Sequence, residues 1–402
     1  MPTAFRFTTF FALAFATLAH AQAPTQLAPV VVSASRNEAR VDEIPRHTTV
    51  ISSDEIRRSP AQSLDQLLAT IPGFNFTGIP AVQSDPTGHQ TKMRGLGNAK
   101  VLVLLDGVPI HDPFYLTTQW FKVPLASIER VEVIRGGNSS LWGNMAVAGV
   151  VNIVTRPTID DAGEIVASLG NRGTSHFALT KNVAVSDQLG FQFGFDEFHT
   201  DGYQQTPAEH LWRFPGKQGT DAKYTNFRFG TVFRPSADTN GYLRLGYHIL
   251  DEVIGYTTGR NLQKSPDLGA GLTHRMGAAG RIDASLWAQN VSFTKSNGAS
   301  CYWQTTGTAC PSNANVTTAQ INNNVIQYFS QFGQQDYRER GGWLAYSKSW
   351  TGLVSSLQLG ADYRQLIAKD SEQFFSPPVS LAAPQNFNSA TYGEGQQTFQ
   401  GL

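Results

Sequence analysis

A compact α+β domain followed by a membrane β-barrel of antiparallel strands is the architecture this sequence predicts, and three observations predict it. Residues 41–157 mix short apolar runs with short helical patterns. From residue 163 onward the texture becomes long stretches of period-two alternation. The links between those stretches alternate short and long, as in an outer-membrane barrel with turns at one end and loops at the other.

Taken in order, residues 1–21 read as an export signal. Arg6 is the only early charge, residues 7–18 are apolar, and Ala19-His20-Ala21 forms a small-x-small cleavage site, so the mature chain is expected to begin at Gln22. That apolar stretch is shorter than the ~20 residues a spanning helix needs, and no later run reaches eighteen. Any later membrane crossing must therefore use strands closed on themselves. Basic and acidic residues balance at 31 each, which gives no support for nucleic acid as a partner.

Residues 22–40 form an N-terminal extension, and the α+β domain follows. Ser53, Asp54, Glu55 and Ile56 resemble a helix N-terminus, and Pro60 opens a second helix with Leu64, Leu67 and Leu68 on one face. Ile71-Pro72-Gly73 stops it. Residues 101–105 form a continuous apolar run that reads as a buried strand, closed by Asp106-Gly107. That pair reads as turn chemistry in preference to a catalytic or metal carboxylate. Residues 131–134 and 147–154 add two strands.

Residues 158–402 carry the barrel pattern. Leu189, Phe191, Phe193 and Phe195 alternate with Gly190, Gln192, Gly194 and Asp196. Leu243, Leu245, Tyr247 and Ile249 alternate with Arg244, Gly246 and His248. Phe227, Phe229 and Phe233 repeat the pattern, as do Leu357, Leu359, Ala361 and Tyr363. Lipid wets one face of such a strand, and water or protein meets the other. A soluble sandwich alternates too, but its strands are about five or six residues long, whereas these run to about ten, enough to cross a tilted bilayer. Tight links fall near 186–187, 236–240, 277–280 and 351–352, and long polar segments at 201–221, 252–270, 297–335 and 370–391. Nine strands and the start of a tenth are expected.

Geometry then bears on completeness. A domain of about 115 residues is roughly 34 Å across. Strands ~4.8 Å apart and tilted ~40° close ten at a diameter of ~20 Å, too narrow to hold it, whereas twenty-two give ~44 Å. A 22-stranded barrel is therefore expected, with the sequence truncated by roughly 300 residues.

Cys301 and Cys310 lie close together in an exported chain, where a local disulfide is the default. No His or further Cys lies at ligand spacing around them, which makes a metal site the weaker alternative. His199, His210, His248 and His274 are scattered, so no metal is assigned. Gly95 and Gly97 lack the third glycine of a nucleotide fingerprint, and no hydrolase, zinc-protease or Walker motif is present. No enzymatic activity and no cofactor are expected.

Several segments together resemble the TonB-dependent receptor family. Leu27, Ala28, Pro29, Val30, Val31, Val32, Ser33 and Ala34 are similar to the TonB box. Arg94-Gly95-Leu96-Gly97, the VLVLLDG run ending at Gly107, and the IERVEVIRGG run ending at Gly137 match the family's plug motifs in order and spacing. Ser140-Leu141-Trp142-Gly143-Asn144 and the AGVVNIVT run ending at Thr155 complete the set, with Trp142 where Tyr is common and Gly137 where Pro is frequent. The resemblance implies a plug domain at 41–157 inside the barrel, a place in the Gram-negative outer membrane, and contact with its lipid. It implies active import of a small-molecule nutrient or metal chelate, such as ferric siderophore or cobalamin, energised by the TonB–ExbB–ExbD complex. A passive plugged porin or surface-binding protein is the alternative reading.

Physically, Val30, Val31 and Val32 behind Pro29 form a β-prone run able to pair with a partner's sheet edge. The resemblance further implies charged latches between plug and barrel wall, for which Arg94, Glu132 and Arg135 are the candidates. The other reading of them is local pairing around a turn, and burial decides between the two, because an exposed pair contributes ~0–1 kcal/mol whereas breaking a buried one costs ~3–5 kcal/mol.

Overall fold

The computed structural model describes residues 30–31, 39–40, 47–76, 91–97, 100–112, 115–142, 145–155, 159–204, 206–208, 219–256, 258–302, 325–350, 356–376 and 386–401. The expected signal at 1–21, Cys310, His210 and the side chain of Cys301 lie outside the described residues, so the disulfide expectation is not addressed there.

Ahead of the first domain lie β1 (Val30–Val31) and β2 (Ala39–Arg40), and the domain itself is built on β3 (His47–Ser52), α1 (Ser53–Arg58), α2 (Leu64–Leu68), β4 (Phe74–Phe76), β5 (Thr91–Met93), β6 (Val101–Leu105), β7 (Val108–Pro109), β8 (Ile128–Arg135), α3 (Ser139–Trp142) and β9 (Gly149–Thr155). Its five-stranded sheet runs in the order β3-β8-β9-β6-β7, with β6 and β9 parallel. β6 is buried along its whole length. Val101, Val103 and Leu105 enter the main core with Ile56, Leu64, Leu67 and Leu68, while Leu102 and Leu104 face Ala146 and Val150 on the other side. A strand covered on both faces has no alternation, which is why it reads as a continuous apolar run.

Local chemistry sets the helix starts. Ser52 caps α1 in a reciprocal box with Glu55, whose carboxylate takes the Ser52 amide at 2.7 Å. The second helix starts at Leu64, after Ser63, and not at Pro60. Leu64, Leu67 and Leu68 are buried as their spacing requires.

The second unit is a ten-stranded antiparallel meander with every strand beside its sequence neighbours. Its strands are β10 (Gly163–Leu169), β11 (Ser175–Ser186), β12 (Leu189–Thr200), β13 (Thr220–Ser236), β14 (Thr239–Ile254), β15 (Arg260–Arg275), β16 (Arg281–Tyr302), β17 (Val325–Ser349), β18 (Ser356–Ser376) and β19 (Asn386–Gly401). Among the described residues β10 and β19 are the two edges of an open sheet. The alternation resolves as expected: Phe193, Phe227, Leu245, Leu359 and Tyr363 are exposed on the convex side. Asp196, Asn226, Arg244 and His248 are buried on the inner side.

Strand lengths and loops differ from the sequence reading. Strands extend into the segments 252–270, 297–335 and 370–391, which were expected as loops: among the described residues β15 begins at Arg260, β16 continues to Tyr302, β17 begins at Val325 and β18 continues to Ser376. Backbone ladders hold these extensions together, and above the lipid either face can be polar, so no apolar alternation marks them. β15 even accommodates Pro266. It pairs with Tyr247 on one side, while on the other the ladder passes from Lys264↔Ser292 to Asp267↔Gln289 without it.

Candidate functional site: the interface between domain and sheet

The inner face of the sheet meets the first domain along residues 106–127, at three anchor points. The first is the two-residue turn between β6 and β7, where Asp106 and Gly107 both have positive φ, 50° and 80°, the backbone of a tight hairpin. The Asp106 carboxylate accepts the Thr155 amide and hydroxyl, both at 2.8 Å. It also accepts Arg244 Nη1 of β14 at 2.6 Å. The Asp106 carbonyl takes the Tyr242 hydroxyl at 3.0 Å. The pair is mostly shielded from water, with side-chain exposures of 11% for Arg244 and 12% for Asp106, so it falls in the range where breaking it matters.

From Arg244 a polar chain continues around the sheet. Arg244 lies 3.9 Å from Asp267, which meets His248 Nε2 at 2.6 Å. His248 Nδ1 meets Asn226 Oδ1 at 2.7 Å. Asn226 Nδ2 donates to Asp196 at 3.2 Å, and Asp196 accepts His176 Nε2 at 2.8 Å.

The second anchor is the 3-10 turn Trp120–Lys122. Its two unpaired carbonyls point at the sheet: Phe121 O takes Asn226 Nδ2 at 2.8 Å, and Lys122 O takes Arg228 Nη2. Arg228 Nη1 also donates to Ser127 Oγ at 3.3 Å. Gln119 Nε2 donates to the Tyr337 hydroxyl at 3.0 Å, and Lys122 Nζ to Gln289 Oε1 at 3.4 Å. Burial pushes the Lys122 ammonium down to about 8, against the opposing pull of Asp267, Asp112 and Glu339. The aromatic ring of Phe121 packs on Phe198, Ala222, Tyr224 and Leu250.

The third anchor is Tyr115, in a loop closed by the Asp112 carboxylate accepting the Tyr115 amide at 2.9 Å. Its hydroxyl accepts Gln335 Nε2 at 2.7 Å, its ring lies 5.5 Å from Lys295 Nζ, and it packs on Val291, Phe293, Tyr337 and Leu366. Burial raises its hydroxyl to about 12.

Behind this loop His111 is buried, and its Nε2 donates to the Val101 carbonyl at 2.9 Å. Burial lowers its pKa to about 4. A pKa below that of the unfolded chain means the contribution is complete above the unfolded value near 6.5 and is lost as pH falls through the folded one. We therefore expect the first domain to lose about 2 kcal/mol of stability between pH 7 and pH 5 from this group. His111→Gln, which retains a donor without titrating, should flatten that part of the urea-unfolding profile. An unchanged slope in the variant would remove His111 as its source.

The residues singled out in the sequence lie elsewhere. Glu132 is fully buried, accepting Arg130 Nε at 2.8 Å and Asn152 Nδ2 at 3.1 Å, both within the domain. Arg135 donates to Pro72 O at 3.2 Å and to Thr49 Oγ1 at 2.7 Å, and meets His47 Nδ1 at 2.7 Å. Burial disfavours the Arg135 charge, and Arg94, at φ 52°, lies near enough to add to that. The three therefore gather on the β3-β8 side, while the contacts to the sheet described above come from residues 106–127. Asp106, read as a turn residue, is both turn and anchor. Of the proposed box, Val30 and Val31 are described, paired with Arg40 and Ala39. Leu27, Ala28, Pro29, Val32, Ser33 and Ala34 lie outside the described residues.

Comparison with known proteins agrees with this fold. Residues 40–150 match the TonB-dependent Receptor Plug Domain. The vitamin B12 transporter BtuB of Vibrio vulnificus is 35% identical over 230 residues, covering 56% of this chain and 36% of that protein. The ferric enterobactin receptor of Pseudomonas aeruginosa is 32% identical over 172 residues, covering 40% of this chain and 22% of that protein. The chain thus spans about a third or less of these relatives' length. In fold, it matches P. aeruginosa FpvA bound to heterologous pyoverdines with a TM-score of 0.67 at 12% identity, over 92% of this chain and 50% of that one. The copper transporter OprC gives a TM-score of 0.63 at 17% identity, over 88% and 52%.

Proposed function

This chain is a TonB-dependent receptor of the Gram-negative outer membrane, carrying a plug domain and ten strands of its barrel, and from that premise we propose that it imports a scarce nutrient actively. Substrate binds from outside, the box becomes available in the periplasm, and the TonB–ExbB–ExbD complex, driven by the proton gradient, pulls on it to loosen the plug. Binding is non-covalent. The observation that carries this reading is the manner of docking. Segment 106–127 of the plug meets the inner wall through directed contacts, while Val30 and Val31 of the proposed box lie in a separate small β1-β2 pair. Such contacts hold at rest and can be broken stepwise under a pull. Cobalamin is the first substrate to test, because the relative at 35% identity is a vitamin B12 transporter. Ferric enterobactin is the second.

Val31→Pro removes a main-chain donor from the strand that would be added to the partner's sheet. In the receptor it should abolish energy-dependent uptake of the bound nutrient while leaving binding at the cell surface unchanged. Transport at the wild-type rate in that variant would show that the box is not where coupling occurs. Wild-type uptake that survives an uncoupler would favour the passive porin.

A further inference from the structure

The hydrogen bonds between plug and wall have a direction. On β13 and β14 five of them run from wall to plug. Asn226 Nδ2 donates to Phe121 O, and the Arg228 guanidinium donates to Lys122 O and Ser127 Oγ. The Tyr242 hydroxyl donates to Asp106 O, and Arg244 Nη1 to the Asp106 carboxylate. On β16 and β17 the direction is mixed, since Gln289 and Tyr337 accept whereas Gln335 donates. Withdrawing segment 106–127 therefore leaves β13 and β14 presenting a set of donors without their plug oxygens, a costly state until other acceptors arrive.

Register sets these donors in a descending line. The short links β11-β12, β13-β14 and β15-β16 lie at one end of the strands, which is the periplasmic end of an outer-membrane barrel. β13 thus runs from Arg228 towards the periplasm. Arg228 stands between Gly194 of β12 and Gly246 of β14, and Arg244 between Gly230 of β13 and Gly269 of β15. With glycine on both sides, neither guanidinium is walled off along its rung. A Cβ at Gly269 would stand 3.2 Å from Arg244 Nη2, so the guanidinium lies over that glycine. Rungs of one face are ~7 Å apart. Arg244 is one rung below Arg228, and Tyr242, opposite Val232, is the next.

Below Tyr242 the inner face opens into a cavity of about 560 Å³ lined by Asp187, Gln188, Arg234, Asn240, Tyr242 and Arg275. That volume suits a small-molecule ligand. Tyr242 both holds the Asp106 carbonyl and lines the cavity, so the cavity begins where the anchor ends. Along the whole line four cations, Arg228, Arg234, Arg244 and Arg275, stand against three carboxylates, Asp187, Asp196 and Asp267. Asp196 and Asp267 already accept His176 and His248, which leaves a surplus of positive charge and of donors.

We propose that the inner face of β13 to β15 is the route by which an anionic, oxygen-rich cargo passes the plug, with Arg228, Arg244, Arg234 and Arg275 as successive holding points. This rests on the import reading above. At rest the oxygens of Asp106, Phe121 and Lys122 occupy the positions that cargo oxygens take once the segment is drawn away, so the donors exchange one acceptor for another. A guanidinium takes a phosphate or carboxylate through two parallel hydrogen bonds. Several holding points in series let each be strong enough to admit the cargo and weak enough to release it. Arg244 thus serves twice, as latch to Asp106 and as holding point for the cargo.

The test reads the ion selectivity of the receptor, purified from outer membranes, as the reversal potential of its open events in planar bilayers under a potassium chloride gradient. Asp106→Asn loosens the turn and keeps Arg244, so it should open often. Rarer wild-type events give the same quantity, because a reversal potential does not depend on how often the channel opens. Chloride should be favoured over potassium by roughly tenfold, and inorganic phosphate should carry current as well. Arg234→Gln combined with Arg275→Gln, both outside the three anchors, should bring the ratio to about one. Arg338→Gln, exposed on the convex face, should leave it unchanged. Open events without anion preference would overturn the proposal, as would a preference that survives the double substitution, or passage of chloride with exclusion of phosphate. An Asp106→Asn receptor that never opens would also count against it, since the anchor would then not gate the route. These recordings need neither TonB nor a nutrient, so their outcome is separate from that of the Val31→Pro uptake test.

Discussion

Replacing Arg244 with leucine is expected to weaken plug docking by about 3–5 kcal/mol, because it strands a carboxylate in a poorly hydrated contact. Asp106 keeps the Thr155 amide and hydroxyl, but its charge loses the guanidinium 2.6 Å away. On the other side Asp267 keeps His248 and loses the more distant help of Arg244. The plug's own core does not involve Arg244, so its fold should survive. Hydrogen exchange should accelerate at the β6–β7 turn and the 3-10 turn Trp120–Lys122 and stay slow in β8 and β9. Planar-bilayer recording should show more frequent channel openings. Wild-type exchange at the turn, with no added conductance, would mean that the ion pair contributes nothing to docking.

Glu132→Leu should do the reverse. Its carboxylate is fully buried and accepts Arg130 and Asn152 inside the plug sheet. Arg130 is partly exposed, at 24%, and can turn to water, whereas the Asn152 amide is buried and left with an unmet donor. We expect a cost of about 2–3 kcal/mol, below the full penalty of an isolated buried charge. It should appear as faster exchange in β3, β8 and β9, with docking at residues 106–127 retained. If Glu132→Leu instead opened the channel as Arg244→Leu does, while β8 exchange stayed slow, Glu132 would be a latch to the wall and the division of roles would be wrong.

Together these variants separate what holds the plug to the wall from what holds it together. By resemblance the sequence offers Arg94, Glu132 and Arg135 as latch candidates, with local pairing as the other reading, and it reads Asp106-Gly107 as turn chemistry. Both readings are local. The contact between Asp106 and Arg244 joins residues 138 apart in sequence, and no period or motif carries information at that range.

What the sequence determined by itself are the features written in nearest-neighbour patterns. Period two with Phe and Leu on one face specifies strands between lipid and an inner wall, and the uninterrupted run Val101–Leu105 specifies a strand covered on both sides. The VLVLLDG and IERVEVIRGG motifs specify the plug. What only the tertiary structure decided are features that depend on which surfaces meet. The polar continuations of β15 to β18 are strands because a neighbouring backbone supplies their hydrogen bonds, whatever their side chains. The burial of Glu132 and His111 follows from the layers packed over them. The docking segment 106–127 became visible only when turn carbonyls, a carboxylate and a tyrosine ring were set against the inner wall, since the energy of a polar contact depends on how far folding has taken it out of water.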